Sequence, residues 1–141
     1  MAKDIYHEHV KEALIKDGWT ITHDPLVLLS REEGGLQVDL AAEKILLADK
    51  GPDRIAVEVK SFVRPSLIHE FNEATGQFVG YEEALEMTGS DRMLYLAMPD
   101  EVYFRLIEKT VVQRVIRRLG LRLILYNPES KSIESWIKSP D

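Results

Sequence analysis

Ile55-Ala56-Val57-Glu58-Val59-Lys60-Ser61-Phe62 is the stretch on which the reading of the fold turns. Ile55, Val57 and Val59 are apolar, and Glu58 and Lys60 interrupt them at a spacing of two. Side chains alternate faces along a strand, so Glu58 and Lys60 share one face while Val57 and Val59 pack on the other. An acid and a base side by side on a β-branched strand belong at an exposed sheet edge, as a salt bridge, or at a functional site. The site reading has a definite chemistry: carboxylate oxygens hold a hard divalent cation, and a neighbouring lysine polarises water or steadies developing negative charge.

A metal pocket of this kind needs a second carboxylate. Upstream, Asp39 interrupts the apolar run Val38-Asp39-Leu40 in the same way. Asp39 followed by Glu58-x-Lys60 resembles the PD-(D/E)xK nuclease superfamily. Pro52-Asp53 spells the motif literally, but it stands five residues before Glu58, where a turn between strands is expected. Asp53 is therefore read as structural.

The remaining chain places these residues. A helix is expected from Asp4 to about Asp17, with Tyr6, Val10, Ala13 and Leu14 on one apolar face and Gly18 as its stop. Strand character follows in Trp19–Thr22 and Leu26–Leu29, separated by the Asp24-Pro25 turn. Leu36 to Asp49 reads as extended, and Lys50-Gly51-Pro52-Asp53 turns it back into Ile55–Phe62. A reversal at Gly51-Pro52 sets Lys60 opposite about Glu43, with Asp39 beyond Glu58. Fourteen extended residues also exceed the usual strand of roughly 5–6. A bulge or bend near Ala41–Lys44 is therefore expected, and without one Glu43 becomes the second carboxylate.

Pro65-Ser66 opens a long helix to about Met87, closed by Gly89 and carrying Gln77 and Tyr81 four apart on one face. A buried strand over Arg92–Met98, helices over Asp100–Ile107 and Val111–Leu119, and a closing hairpin of Leu121–Tyr126 with Ser132–Ile137 complete the chain. Helix, strands, helix, strand, helices, hairpin is an α/β order in a single domain, 1–141. It also matches the αβββαβ core of restriction-endonuclease-like folds, a mixed sheet flanked by helices.

Composition limits the function. The 141 residues carry a net charge of −6, which argues against a general nucleic-acid coat. The charge is polarised, however: Arg105, Lys109, Arg114, Arg117, Arg118 and Arg122 are opposed only by Glu108. This run is a solvated helix face or a phosphate-steering surface. Cysteine is absent, which excludes disulfides and thiolate metal sites. No apolar run reaches the ~18 residues of a membrane span, and no signal-peptide core is visible, so residence in the cytoplasm is expected.

Gln77-Phe78-Val79-Gly80-Tyr81 resembles the Gln-x-x-x-Tyr motif that follows Glu-x-Lys in RecB-type nucleases, where an amide and a phenol support the site. Related nucleases line the site with their first helix, which makes His7 a candidate ligand here and Glu8 and Glu12 candidate first-helix acids.

A closer resemblance covers nearly the whole chain. Asp4-Ile5-Tyr6-His7, Lys16 to Thr22 with Asp24-Pro25, Asp39-Leu40 with Ala42-Glu43-Lys44, Ile55 to Phe62, Gly76-Gln77 with Tyr81, and Leu94-Tyr95 to Pro99 are similar, in order, to the XisH family, fdxN-element excision controlling factors of cyanobacteria. The resemblance implies a role in programmed DNA excision during heterocyst differentiation, beside a site-specific recombinase and a small companion protein, XisI. With Asp39, Glu58 and Lys60 all present, a Mg²⁺- or Mn²⁺-dependent DNA-hydrolysing site is expected. A non-catalytic DNA- or protein-binding factor on the same fold is the alternative. A homodimer fits the way many such nucleases treat two strands.

Overall fold

The computed structural model describes residues 2–45 and 52–138. Helix α1 (Ala2–Lys16) begins ahead of Asp4, buries Val10, Ala13 and Leu14, and ends where Gly18 adopts φ +94°. Trp19 N–H then donates to the Leu14 carbonyl at 3.0 Å. Five strands follow: β1 (Thr20–His23), β2 (Leu26–Leu29), β3 (Leu36–Val38), β4 (Leu40–Ile45) and β5 (Pro52–Val59), with a 3₁₀ turn over Arg31–Glu33.

The long extended segment divides, but not where it was expected to. Its break falls at Asp39, and Ala41–Lys44 run through an uninterrupted antiparallel pairing with β5. β3 leaves to pair with β2 in a separate two-stranded sheet. The register also differs from one centred on Gly51-Pro52. Pro52 and Asp53 are the first residues of β5, and Asp53 lies opposite Lys44. Proline is admissible there because the first residue of a strand need not donate to the ladder. Leu46–Gly51, including the Lys50-Gly51 half of the expected turn, lie outside the described residues.

The shifted register puts Glu43 opposite Arg54, with Arg54 Nε 3.7 Å from Glu43 Oε2. Glu43 is thus a surface ion-pair partner, and the role reserved for it falls away. Leu40 lies opposite Val57, so one further step brings Asp39 alongside Glu58.

Helix α2 (Leu67–Met87) starts at Ser66, whose Oγ accepts the His69 N–H at 3.2 Å. That bond satisfies one of the orphan donors of a helix N-terminus. The helix carries the chain over to β6 (Met93–Pro99), which lies parallel to β5. Helices α3 (Asp100–Leu106) and α4 (Thr110–Leu119) cross over to β7 (Leu123–Asn127), and β8 (Ser132–Ile137) closes a hairpin on it. The six-stranded mixed sheet has the order β1-β4-β5-β6-β7-β8. The succession α1, β1, β4, β5, α2, β6 reproduces the expected αβββαβ core.

The sheet is covered on both sides, as its parallel centre requires. Ile55, Val57 and Val59 pack with Leu14, Tyr95, Ile124 and Tyr126 on the α1 side. Ala56, Leu94, Leu96, Leu123 and Leu125 pack against α2, α3 and α4 on the other. The alternation read from the sequence holds, and it turns Glu58 and Lys60 toward the side of α2. Among the described residues no helix is long and apolar enough to cross a membrane.

Candidate active site

Asp39 and Glu58 meet where β4 begins and β5 ends. Val59 N–H donates to Asp39 Oδ2 at 2.9 Å, and Asp39 N–H donates to Glu58 Oε1 at 3.3 Å. Each carboxylate therefore has one oxygen fixed by the other strand's backbone. The second oxygen of each, Asp39 Oδ1 and Glu58 Oε2, makes no hydrogen bond among the described residues. Lys60 Nζ stands 3.7 Å from Glu58 Oε2.

Glu58 is only 8% exposed. Burial first, and the Asp39 carboxylate second, push its carboxyl up to about 7, against the opposing pull of Lys60. Two acids sharing a desolvated site cannot both ionise cheaply without a positive charge between them. Tyr81, buried on α2, faces the pair. Burial first, then the charges of Glu58 and Asp39, push its phenol up to about 12. At neutral pH Tyr81 is thus held as a hydroxyl donor.

Beyond Lys60 the chain opens a cleft of about 360 Å³. Phe62 makes the turn: it is buried yet has φ +56°, a left-handed conformation that is rare for a bulky side chain. Lys60 and Ser61 line one wall, and Glu70, Glu73 and Gln77 of α2 line another. Gln77 Oε1 is buried without a hydrogen-bond partner, an acceptor left available at the cleft. Arg64 reaches across the mouth to Glu73 at 3.3 Å.

The first helix contributes differently from expectation. Tyr6 lines the cleft, whereas the His7 imidazole is held 2.8 Å from Asp24 Oδ1. His7, Glu8 and Asp24 do bring donor atoms within 4.8 Å of one another, but neither Asp39 nor Glu58 belongs to that group. Lys11 Nζ lies 2.8 Å from Asp24 Oδ2, putting a cation there already. Burial works to raise Asp24, and the Lys11 and His7 contacts outweigh it and hold the carboxyl below its usual range. Glu8 is exposed, and Glu12 pairs with Lys16 at 3.3 Å on the outer face of α1.

Two groups at the cleft escaped sequence reasoning. Tyr6 was absorbed into an apolar stripe, which its half-buried ring equally fits. Glu73, Gln77 and Tyr81 follow one another at intervals of four on α2, and that spacing was a legible signal. In the basic run, Arg105, Lys109, Arg114, Arg117 and Arg118 are exposed, but Arg122 is turned inward onto Glu82 and the Leu94 carbonyl. It is thereby separated from the exposed cations of α3 and α4.

The chain matches the XisH protein family over residues 1–134. An XisH family protein from Nostoc punctiforme PCC 73102 is similar in structure, with a TM-score of 0.83 and 39% identity, over 96% of this chain and 100% of that one. An fdxN element excision controlling factor protein from Anabaena variabilis is similar too, with a TM-score of 0.81 and 39% identity, over 96% of this chain and 99% of that one. No curated protein matches the chain. Fold, strand order and family match agree: the chain belongs to the XisH family.

Proposed function

We propose that this protein is a controlling factor for programmed DNA-element excision and that its cleft is a divalent-metal-dependent site for phosphodiester hydrolysis of DNA. The observation that carries the catalytic part is the reciprocal bonding of Asp39 and Glu58 beside Lys60. It fixes two carboxylates, each with one free oxygen, next to an ammonium group.

The donor set fits Mg²⁺ or Mn²⁺. Asp39 Oδ1 and Glu58 Oε2 would hold the ion, which takes hard oxygen ligands and keeps several waters of its own. When bound, it would supply Lewis-acid charge at a phosphoryl oxygen. Lys60 would orient the attacking water and balance the charge that develops as the phosphorus–oxygen bond breaks. Tyr81 faces Glu58 with its phenol kept protonated, and Gln77 offers an acceptor to the water or to the substrate backbone. His7 has no part in this site, being engaged by Asp24.

Phosphate would be drawn by the exposed cations of α3 and α4. A companion protein such as XisI and a site-specific recombinase are the partners that the family implies, and a second copy of the chain would let two strands be treated together. A second reading, a non-catalytic accessory factor, is favoured by the net charge of −6 and by Glu70 and Glu73 on the cleft wall, which repel phosphate.

Mg²⁺- or Mn²⁺-dependent cleavage of duplex, single-stranded and branched DNA separates the two. Cleavage by the purified protein that is lost in folded Glu58→Gln and Lys60→Met variants supports the enzyme. No cleavage of any substrate, with the companion protein added, gives the accessory reading its place.

A further inference from the structure

A second cleft, of about 610 Å³, lies at the other end of α1. Tyr6 near the start of the helix lines the first cleft, and Asp17 just past its end lines the second, about 16 Å further along the axis. The walls come from the starts of β5 and β6, the end of β8 and the segment after α1. Its size is that of a small-molecule pocket, roughly 300–1,000 Å³.

Its floor is aromatic. The Trp19 and Trp136 rings lie 5.6 Å apart at 35°, and Tyr95 meets Trp136 edge-on at 5.1 Å. Tyr95 is only 5% exposed, and its hydroxyl has no hydrogen-bond partner among the described residues. The ring is buried while the hydroxyl opens onto the cleft, where it can donate to or accept from a ligand.

The rim is basic. Lys44, Arg54, Arg122 and Lys138 line the cleft against Asp17 and Asp53, an excess of positive charge in a chain of net −6. Part of that charge is tied down: Lys44 donates to the Asp17 carbonyl at 2.8 Å, and Arg54 Nη1 holds Asp91 at 2.9 Å. Arg122 uses Nε and Nη2 on Leu94 and Glu82. A guanidinium has five donors, however, and Arg54 Nη2 and Arg122 Nη1 remain unbonded among the described residues. Lys138 likewise has no partner among them.

We propose that this cleft binds a nucleotide, with the base against the half-exposed Trp136 ring within reach of the Tyr95 hydroxyl and the phosphate on the unbonded guanidinium groups and Lys138. A planar ring suits an indole face, and a phosphate is the anion that forked N–H donors match. A free nucleotide and the phosphorylated end of a DNA strand present the same chemistry to it.

Both tryptophans of the chain line this cleft, so intrinsic fluorescence reports on it directly. The intact protein is titrated with AMP and ATP and, separately, with a short 5′-phosphorylated oligonucleotide, with calorimetry as a second readout. Saturable quenching is expected, weakened about tenfold by Lys138→Glu and by Tyr95→Phe. Glu58→Gln should leave it unchanged, which separates this cleft from the metal-dependent one. Binding of mononucleotides identifies the free pool, and binding of the oligonucleotide alone identifies a strand end. Absence of saturable heat and quenching with every ligand up to about 1 mM, or saturation that is equal in both cleft variants, overturns the proposal.

Discussion

Asp39 and Glu58 each accept a hydrogen bond from the backbone of the strand that carries the other or its neighbour: Val59 N–H to Asp39 at 2.9 Å, and Asp39 N–H to Glu58 at 3.3 Å. Both acids therefore have a structural duty beside any catalytic one. Alanine at either position strands a half-buried N–H, at a cost of about 1–3 kcal/mol. Asp39→Asn and Glu58→Gln keep an acceptor in place and should unfold within about 1 kcal/mol of wild type. On the proposed mechanism they lose cleavage by two orders of magnitude or more. Chemical denaturation and a nuclease assay on the four variants test this together.

The buried Glu58 carboxyl makes apo stability depend on pH in the direction opposite to most acids. Its folded value, about 7, lies above the ordinary 4.5, so the folded state holds the proton more tightly. The stability that Glu58 contributes is complete below about pH 4.5 and is lost as pH rises through about 7, by something of order 1–3 kcal/mol. Glu58→Gln removes the titrating group and should flatten this limb. Urea midpoints at about pH 5 and pH 8, for wild type and variant, measure it.

Lys60 is the one charge that pulls Glu58 downward. Lys60→Met should therefore move the same stability limb to higher pH, while Lys60→Arg holds it near its place. Following the midpoint of the pH profile in the three proteins distinguishes loss of the charge from loss of packing.

A divalent cation at Asp39 and Glu58 competes with the proton that Glu58 carries. Mn²⁺ affinity should rise with pH through about 7, with a proton released on binding. The melting temperature should climb with metal concentration in wild type and stay flat in Glu58→Gln. Calorimetry in buffers of different ionisation enthalpy counts the proton.

Away from the Asp39–Glu58 site, Arg122 is braced by Glu82, the Leu94 carbonyl and the Phe78 ring. Glu82→Ala leaves this largely buried guanidinium without its carboxylate and should cost about 1–3 kcal/mol, less than a fully buried pair because Glu82 is partly exposed. Metal-dependent behaviour should be unaffected, which a denaturation curve and a Mn²⁺ titration check.

Much of this was legible in the chain itself, because alternation and helical periodicity report which face a side chain takes. They placed Glu58 and Lys60 together and put Tyr81 on the buried face that meets them. Register was less legible. It depends on where the chain reverses, and Pro52 looked like a turn residue while serving as the start of a strand. The division at Asp39 was hidden for a related reason: two strands joined by one residue look like one long strand until their partners are known. His7 was drawn to Asp24 by the path of the β1–β2 connection, which no local pattern encodes.

Because Asp39 is the single residue between strands of two different sheets, the segment on either side of it has very different freedom to change length. The turn at Arg31–Glu33 and the glycines after it, Gly34 and Gly35, lie exposed and can absorb an insertion. One residue added at Asp39 would rotate β3 against β4 and withdraw the carboxylate from Glu58. Over evolutionary time, insertions and deletions in this part of the protein should gather at 31–35 and be purged at the joint.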